Sequence, residues 1–396
     1  MRILVVSNLY PPLALGGYEE RCLVSVEGLR ARGHDLLVLT SRYGVTAATP
    51  ADPGVHRVLT PVGFFGFPWA RIPGLARIEH DNLALLREAI WDHRPDVIWV
   101  WNLGGLPKSL LAVAAAAKPL VTDISDHWVF RGIPADPWRG WENRHGFLAK
   151  FARWRWPNLV PAATPLPLGK AYCTSAALRD LTVAKGFPAL AGCPVIYCGI
   201  AVDRYHHAVH QRDAGPLRML YVGRLHPDKG VHTACAAVLR TPGVTLDVVG
   251  TGEPDYEAQL RRDYEGKPQG APRIRFIGRK KPAEIPALMA ACHGLLFPSE
   301  WEEPFALTPL EASAAGLAVV GTLTGGSPEF LREGETALTY AAGNADSCAV
   351  ALAKLRDDPE LGQRLATTAQ REVAARFTVA TMLDRMEAHL REAMTP

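Results

Sequence analysis

Short apolar runs rich in Val, Ile and Leu recur along the chain. In the first half they fall at residues 3–6, 36–39, 97–101, 120–124 and 195–200. In the second half they fall at 219–222, 246–249, 274–277, 295–297 and 318–320. Each is brief and bounded by Gly, Pro, Asn or Asp, as expected of strands buried on both faces of a parallel sheet. Between them lie amphipathic stretches that predict helices over 19–32, 76–92, 176–185, 229–240, 255–264 and 306–315. This alternation predicts an α/β chain with doubly wound sheets. The pattern pauses once, at the polar stretch 206–215, HHAVHQRDAG, which reads as a linker. The expected domains are therefore 1–205 and 216–377. A helical tail over 378–396 must pack on surfaces already built, and the first domain is its expected seat.

Composition narrows the class. Of 396 residues, 48% are hydrophobic and 21% charged, a globular balance. Lys and Arg number 43 against 40 Asp and Glu, a net charge of +3, too small a surplus for a dedicated nucleic-acid binder. The longest apolar run, 110–117, stops at Lys118, so no membrane-spanning helix is expected. The opening MRILVVSN turns polar too soon for a signal peptide and reads as the first strand. Seven cysteines without paired spacing fit buried thiols in a reducing, cytoplasmic compartment. Residues 136–161 are irregular, with Trp138, Trp141, Trp154 and Trp156 among Arg139, Arg144, Lys150, Arg153 and Arg155. That mixture fits a peripheral membrane contact over 138–156, on the inner face for a cytoplasmic protein, or an acceptor groove. The plainer reading is a long connection whose aromatics pack on the first domain.

Candidate chemistry gathers in the second half. In YVGRLHPDKG, a buried strand ends at Gly223, with Arg224 at its carboxyl end and Lys229 at the start of the next helix. Ligands bind beyond the carboxyl ends of strands in such sheets, and two cations there suit a diphosphate. In SEWEEPFALTPLEASAAG, Glu303 follows a strand end and Pro304 suits a first helical position. The N–H groups of that helix start favour phosphate oxygens. Glu311 lies eight positions after Glu303. On one helix the two would differ by about 80° in azimuth, so they would reach different parts of an extended ligand. Gly325-Gly326 follows a further strand and allows close backbone approach to a ligand.

Arg224 and Lys229, then Glu303 and Glu311 with seven residues between them, then Gly325-Gly326, resemble the donor half of glycosyltransferase family 4. The resemblance covers nearly the whole chain, including Gly16-Gly17, the DISDHW segment around His127 and the YCGIAVDRY run. It implies the GT-B fold: two Rossmann-like doubly wound domains facing each other across a cleft, the first for the acceptor and the second for the donor. Arg224 and Lys229 match the pair that holds the nucleotide diphosphate. Glu303 matches the carboxylate on the donor sugar, and Glu311 the one on the ribose. Phe305, Ala306 and Leu307 match the helix start whose N–H groups face sugar and phosphate. His127 matches a histidine that touches the donor sugar, and Gly16 and Gly17 a loop near the phosphates and the acceptor. Ala306 departs from the glycine common in the family, and its methyl is expected to narrow the sugar pocket.

The implied activity is retaining transfer of a hexosyl unit from a nucleotide diphosphate sugar, expected to carry UDP, to an acceptor hydroxyl by front-face attack. The acceptor class stays open among a sugar, a lipid-linked sugar and a small aglycone. No cofactor and no metal are expected, since the chain has no D-x-D triplet and the cations with a helix N-terminus suit a leaving diphosphate. His127, Arg224, Lys229 and Glu303 are the expected catalytic set. Because the matched residues fall on both sides of the linker, the domains are expected to close on the donor. A nucleotide-sugar epimerase or a glycoside phosphorylase on the same frame is the alternative. The sequence leaves the oligomeric state open.

Overall fold

Two six-stranded sheets, each entirely parallel, hold the apolar runs. This computed structural model describes residues 1–14, 16–62, 72–133, 136, 147–155, 166–205, 208–209, 215–267 and 273–395. The chain divides into two compact units, Met1–Ile196 with Leu383–Pro396, and Tyr197–Met382. The first sheet contains β1 (Arg2–Ser7), β2 (Asp35–Ser41), β3 (Val55–Leu59), β4 (Val97–Val100), β5 (Leu120–Ile124) and β6 (Lys170–Cys173), in the order β3-β2-β1-β4-β5-β6. The second contains β7 (Leu217–Val222), β8 (Val244–Val249), β9 (Ile274–Gly278), β10 (Gly294–Phe297), β11 (Ala318–Thr322) and β12 (Ala337–Tyr340), in the order β12-β11-β10-β7-β8-β9. Read from its other edge, the second order repeats the first. In each sheet the strand order therefore reverses once, between β1 and β4 and between β7 and β10, and such a switch point opens a crevice at the carboxyl ends of the strands.

Burial explains why the strands read as continuous apolar runs. Along β7, Met219 and Tyr221 enter one apolar cluster with Leu246, Val248 and Leu296. Leu220 enters another, on the opposite face, with Leu295, Val319 and Leu310. Both faces are covered, so period-two alternation is lost. Truncating a residue such as Leu220, which is fully buried, to Ala is expected to cost about 2–5 kcal/mol.

Three strands escape the sequence reading. β3 (VHRVL), β6 (KAYC) and β12 (ALTY) are short and partly polar. All three lie at the edges of their sheets, which relaxes the demand for apolar residues. Conversely, residues 195–200 are not a strand. Val195 pairs singly with Cys173 and Ile200 singly with Thr378. At Gly199 an added Cβ would lie 2.4 Å from the Thr378 carbonyl oxygen, so the chain crosses there instead of pairing.

The units part within that run, ahead of the polar stretch 206–215. Helix Val202–Tyr205 and Val209 belong to the second unit, where Val209 lies against Gly316. Residues 206–207 and 210–214 are outside the described residues. The last helix, Val379–Ala393, enters the first unit at Leu383. There Leu383 occupies the space a Cβ on Gly28 would need, Asp384 and Glu387 pair with Arg32, and His389 meets the Lys170 carbonyl at 3.0 Å. All seven cysteines are free, six of them buried. Trp138, Arg139, Trp141, Arg144, Trp156 and the side chain of Arg153 lie outside the described residues. No helix among those described is long and apolar enough to cross a membrane.

Candidate functional site

In the second unit the switch point brings the loop after β7 against the loop after β10. β7 continues into Gly223, whose N–H donates to Val249 O at 3.0 Å. The buried Tyr221 hydroxyl donates to the Arg224 carbonyl at 2.7 Å, fixing the backbone while the Arg224 side chain stays exposed, with no ion pair among the described residues. Lys229 closes a short 3₁₀ turn, Pro227–Lys229. Gly230 follows with φ 63°, and a Cβ there would lie 1.9 Å from Pro298 O, so only glycine lets this turn rest on the end of β10. Glu300 N–H adds a bond to Asp228 O at 2.8 Å.

This packing delivers Lys229 Nζ to Glu303 Oε1, an ion pair with both side chains largely buried. Ser299 Oγ donates to the same oxygen at 2.9 Å, and Thr322 Oγ1, at the end of β11, holds Ser299 O at 2.6 Å. The Gly-Gly loop has a more specific task than approach to a ligand. Gly325, at φ 54°, lies against the Glu303 backbone, where a Cβ would sit 2.0 Å from Glu303 O. Gly326 N–H donates to that oxygen at 2.8 Å.

The helix begins later than Pro304 suggests. It runs Leu307–Ala314 from an extended Ala306 (φ −83°, ψ 122°) without a side-chain cap. Glu303 therefore precedes the helix, and azimuth does not relate it to Glu311. The Phe305 ring belongs to the core, stacked on Tyr197 at 5.4 Å, and Ala306 is buried in the same apolar cluster. The main-chain N–H groups of Phe305, Ala306 and Leu307 have no acceptor among the described residues. The Ala306 methyl thus points into the core, contrary to the expectation that it narrows a sugar pocket. Glu311 accepts a hydrogen bond from Tyr205 Oη at 2.8 Å. Burial raises its pKa, against the pull of the Tyr205 hydroxyl and Arg204. Sequence reasoning missed Ser299 and Tyr205, although Tyr205 stands in the quoted YCGIAVDRY run.

In the first unit, polar groups crowd the switch point of β1 and β4. Asn8 N–H donates to Asn102 O at 2.7 Å, and Asn8 Nδ2 to Gly104 O at 2.9 Å. Asn102 Nδ2 donates to Asp126 Oδ2, and Trp128 N–H to Asp126 Oδ1, both at 2.7 Å. Burial raises the Asp126 pKa to about 6, outweighing those two donors, with Asp123 and Glu19 adding to the rise. Asp123 is itself paired with buried Arg21 at 2.7 Å, and that guanidinium lies 4.9 Å from the Trp101 ring centroid. His127 is buried beside Phe130, with ring centroids 4.9 Å apart, and leads into a one-turn π-helix, Trp128–Gly132. Such turns recur at functional sites. Gly16 N–H donates to Glu19 Oε2 at 2.9 Å, and Gly17 opens helix Gly17–Ala31. A Cβ on Gly16 would meet Glu19 at an ordinary 3.5 Å, so sterics alone do not demand glycine. Asp126, Asn102 and Glu19 were not singled out from the sequence. The spacing of Asp123 and Asp126 across a strand end was the available signal.

The second unit thus holds Arg224, the Lys229–Glu303 ion pair and the uncapped start of helix Leu307–Ala314 in the segments that follow β7 and β10. A family model described as glycosyl transferases group 1 matches residues 203–372, and one described as a glycosyl transferase 4-like domain matches residues 16–195. The chain is 31% identical over 409 residues to glycogen synthase of Mycobacterium tuberculosis, covering 96% of this chain and 93% of that one. It is 32% identical over 182 residues to D-inositol 3-phosphate glycosyltransferase of Corynebacterium efficiens, covering 44% and 42%. Among solved structures, Anabaena HepE in complex with UDP matches with a TM-score of 0.70 at 22% identity, over 99% of this chain and 100% of that one. Sucrose-phosphate synthase from Thermosynechococcus elongatus matches with a TM-score of 0.71 at 18% identity, over 99% and 98%. These two share the fold.

Proposed function

This chain belongs to the GT4-type glycosyltransferases of the GT-B fold, and from that premise we propose that it moves a hexosyl unit from a uridine diphosphate sugar to an acceptor hydroxyl, with retention and without a metal. The observation that carries the reading is the Lys229–Glu303 pair at the switch point of β7 and β10, beside the uncapped start of helix Leu307–Ala314. A departing diphosphate gains charge as the glycosidic bond breaks. Arg224, Lys229 and the N–H groups of Phe305, Ala306 and Leu307 stabilise that charge. Glu303 takes donor sugar hydroxyls, and its ion pair sets where the Lys229 ammonium stands. Glu311, oriented by Tyr205, takes the ribose hydroxyls. Front-face attack needs no side-chain nucleophile, because the leaving phosphate oxygen takes the acceptor proton. Uridine is supported by the Anabaena protein, which was solved with UDP and with UDP-glucose.

The test is a thermal-shift screen with UDP, GDP, ADP and TDP, followed by mass spectrometry and NMR of the product made with the matching sugar. UDP should give the largest shift, and the product anomer should keep the donor configuration. Transfer should continue in excess EDTA. A shift with GDP but not UDP overturns the choice of base. An inverted product, or a strict need for added magnesium or manganese, overturns the mechanism.

A further inference from the structure

A nine-residue helix in the first unit, Phe147–Arg155, presents an apolar stripe to solvent. Phe147, Phe151 and Trp154 are 81%, 45% and 75% exposed. At 100° per residue the three fall within about 60° of one another on the helix. The Phe151 and Trp154 rings lie 5.8 Å apart, so the stripe is continuous. Single exposed apolar residues are ordinary, but a cluster is not. The only other Phe or Trp this exposed among the described residues is Trp91. The helices around the second sheet behave differently: Val231–Arg240 buries Val231, Ala234, Cys235 and Val238.

Charge says what covers the stripe. Lys150 and Arg155 are exposed and flank it, each about 40° beyond one edge. The segment FLAKFARWR contains three cations and no carboxylate. Two copies meeting stripe to stripe would bring these cations together, which disfavours self-association. A surface that accepts aromatic rings between anionic groups suits both features. At 1.5 Å per residue the helix is about 14 Å long, too short to span a bilayer but able to lie along its interface.

We propose that helix Phe147–Arg155 docks the enzyme on an anionic bilayer surface, with Phe147, Phe151 and Trp154 at the boundary between headgroups and acyl chains and Lys150 and Arg155 at the lipid phosphates. The surface then draws the first unit toward membrane-borne hydroxyl compounds.

The full chain should be sedimented with vesicles of phosphatidylcholine alone and with vesicles in which phosphatidylglycerol replaces a third of it. Binding should appear with the anionic vesicles and weaken with salt. A Phe147→Ser/Trp154→Ser double variant should bind at least tenfold more weakly with an unchanged melting temperature. Lys150→Glu/Arg155→Glu, which keeps the aromatic stripe, should lose the preference for phosphatidylglycerol. Equal sedimentation with both vesicle types, or unchanged binding by a folded double variant, overturns the proposal. So does a wild-type dimer that the serine substitutions dissociate, since a second copy would then be the occupant.

Discussion

Lys229 and Glu303 are 74 positions apart and form an ion pair that ties the loop after β7 to the loop after β10. Ser299 supports Glu303 on one side, and the main chain of Gly325 and Gly326 braces it from below. Two single substitutions separate the charge from the scaffold. Lys229→Ala and Arg224→Ala should each lower kcat by about 10²–10³, the loss expected when one donor to a developing anion is removed. Arg224 is exposed, so its variant should melt as the wild type does. Lys229→Ala leaves Glu303 without its cation and should also lose stability. Near-normal turnover in either variant would mean that its cation does not serve the leaving group.

The brace under Glu303 can be tested apart from backbone strain. Gly325 and Gly334 both hold positive φ, 54° and 74°. A Cβ at Gly334 meets nothing within 4 Å, whereas one at Gly325 runs into Glu303. Gly334→Ala should cost roughly 1–2 kcal/mol of stability, the usual cost of a left-handed non-glycine residue, and leave activity intact. Gly325→Ala should cost more and also lower kcat/KM by displacing Glu303. Equal kinetics in the two variants would remove the brace from the account.

Arg224, Lys229 and Glu303 were legible as residues near strand ends because each follows an apolar run by a few positions, whereas Glu311 lies inside helix Leu307–Ala314. A strand-end position is fixed by the parallel sheet before any contact is known. The pairing of Lys229 with Glu303 was not legible, since it depends on β7 lying beside β10. Edge strands β3, β6 and β12 stayed hidden because a strand covered on one side can carry His56, Arg57 or Lys170 and lose the apolar signature. The helix start shifted from Pro304 to Leu307 because the aromatic packing of Phe305 on Tyr197, Phe330 and Phe377 holds the intervening residues outside the helix. The raised pKa of Asp126 was not legible for a related reason: it comes from burial, which the residue's own letter does not encode.

Asp126 also gives the first unit a pH response of known sign. Its folded pKa is about 6, raised chiefly by burial, against roughly 3.9 in an unfolded chain. The folded state therefore holds this proton more tightly. The contribution to stability is greatest below the unfolded value and is lost as pH rises through about 6. Asp126→Asn removes the titration, so its stability relative to wild type should rise between pH 4 and 6. The slope should approach roughly 1.4 kcal/mol per pH unit and flatten above that range. Urea unfolding of both proteins from pH 4 to 8 measures it. A difference independent of pH would show that Asp126 ionises normally in the fold.

At Ala306 the resemblance and the geometry lead to different expectations. A methyl narrowing a sugar pocket should make Ala306→Gly broaden the set of donors used. The methyl is instead buried with Phe305 and Leu310. The backbone at φ −83° and ψ 122° is open to any residue, so glycine gains nothing there conformationally. Removing the methyl should loosen the core and free the chain just before helix Leu307–Ala314, costing about 1 kcal/mol. KM and the ranking of UDP-hexoses should change little, because only the N–H of residue 306 is offered to the donor. Competition among UDP-hexoses, analysed by mass spectrometry in wild type and variant, decides between the two. A new donor accepted by Ala306→Gly at unchanged melting temperature would place that methyl in the sugar site after all.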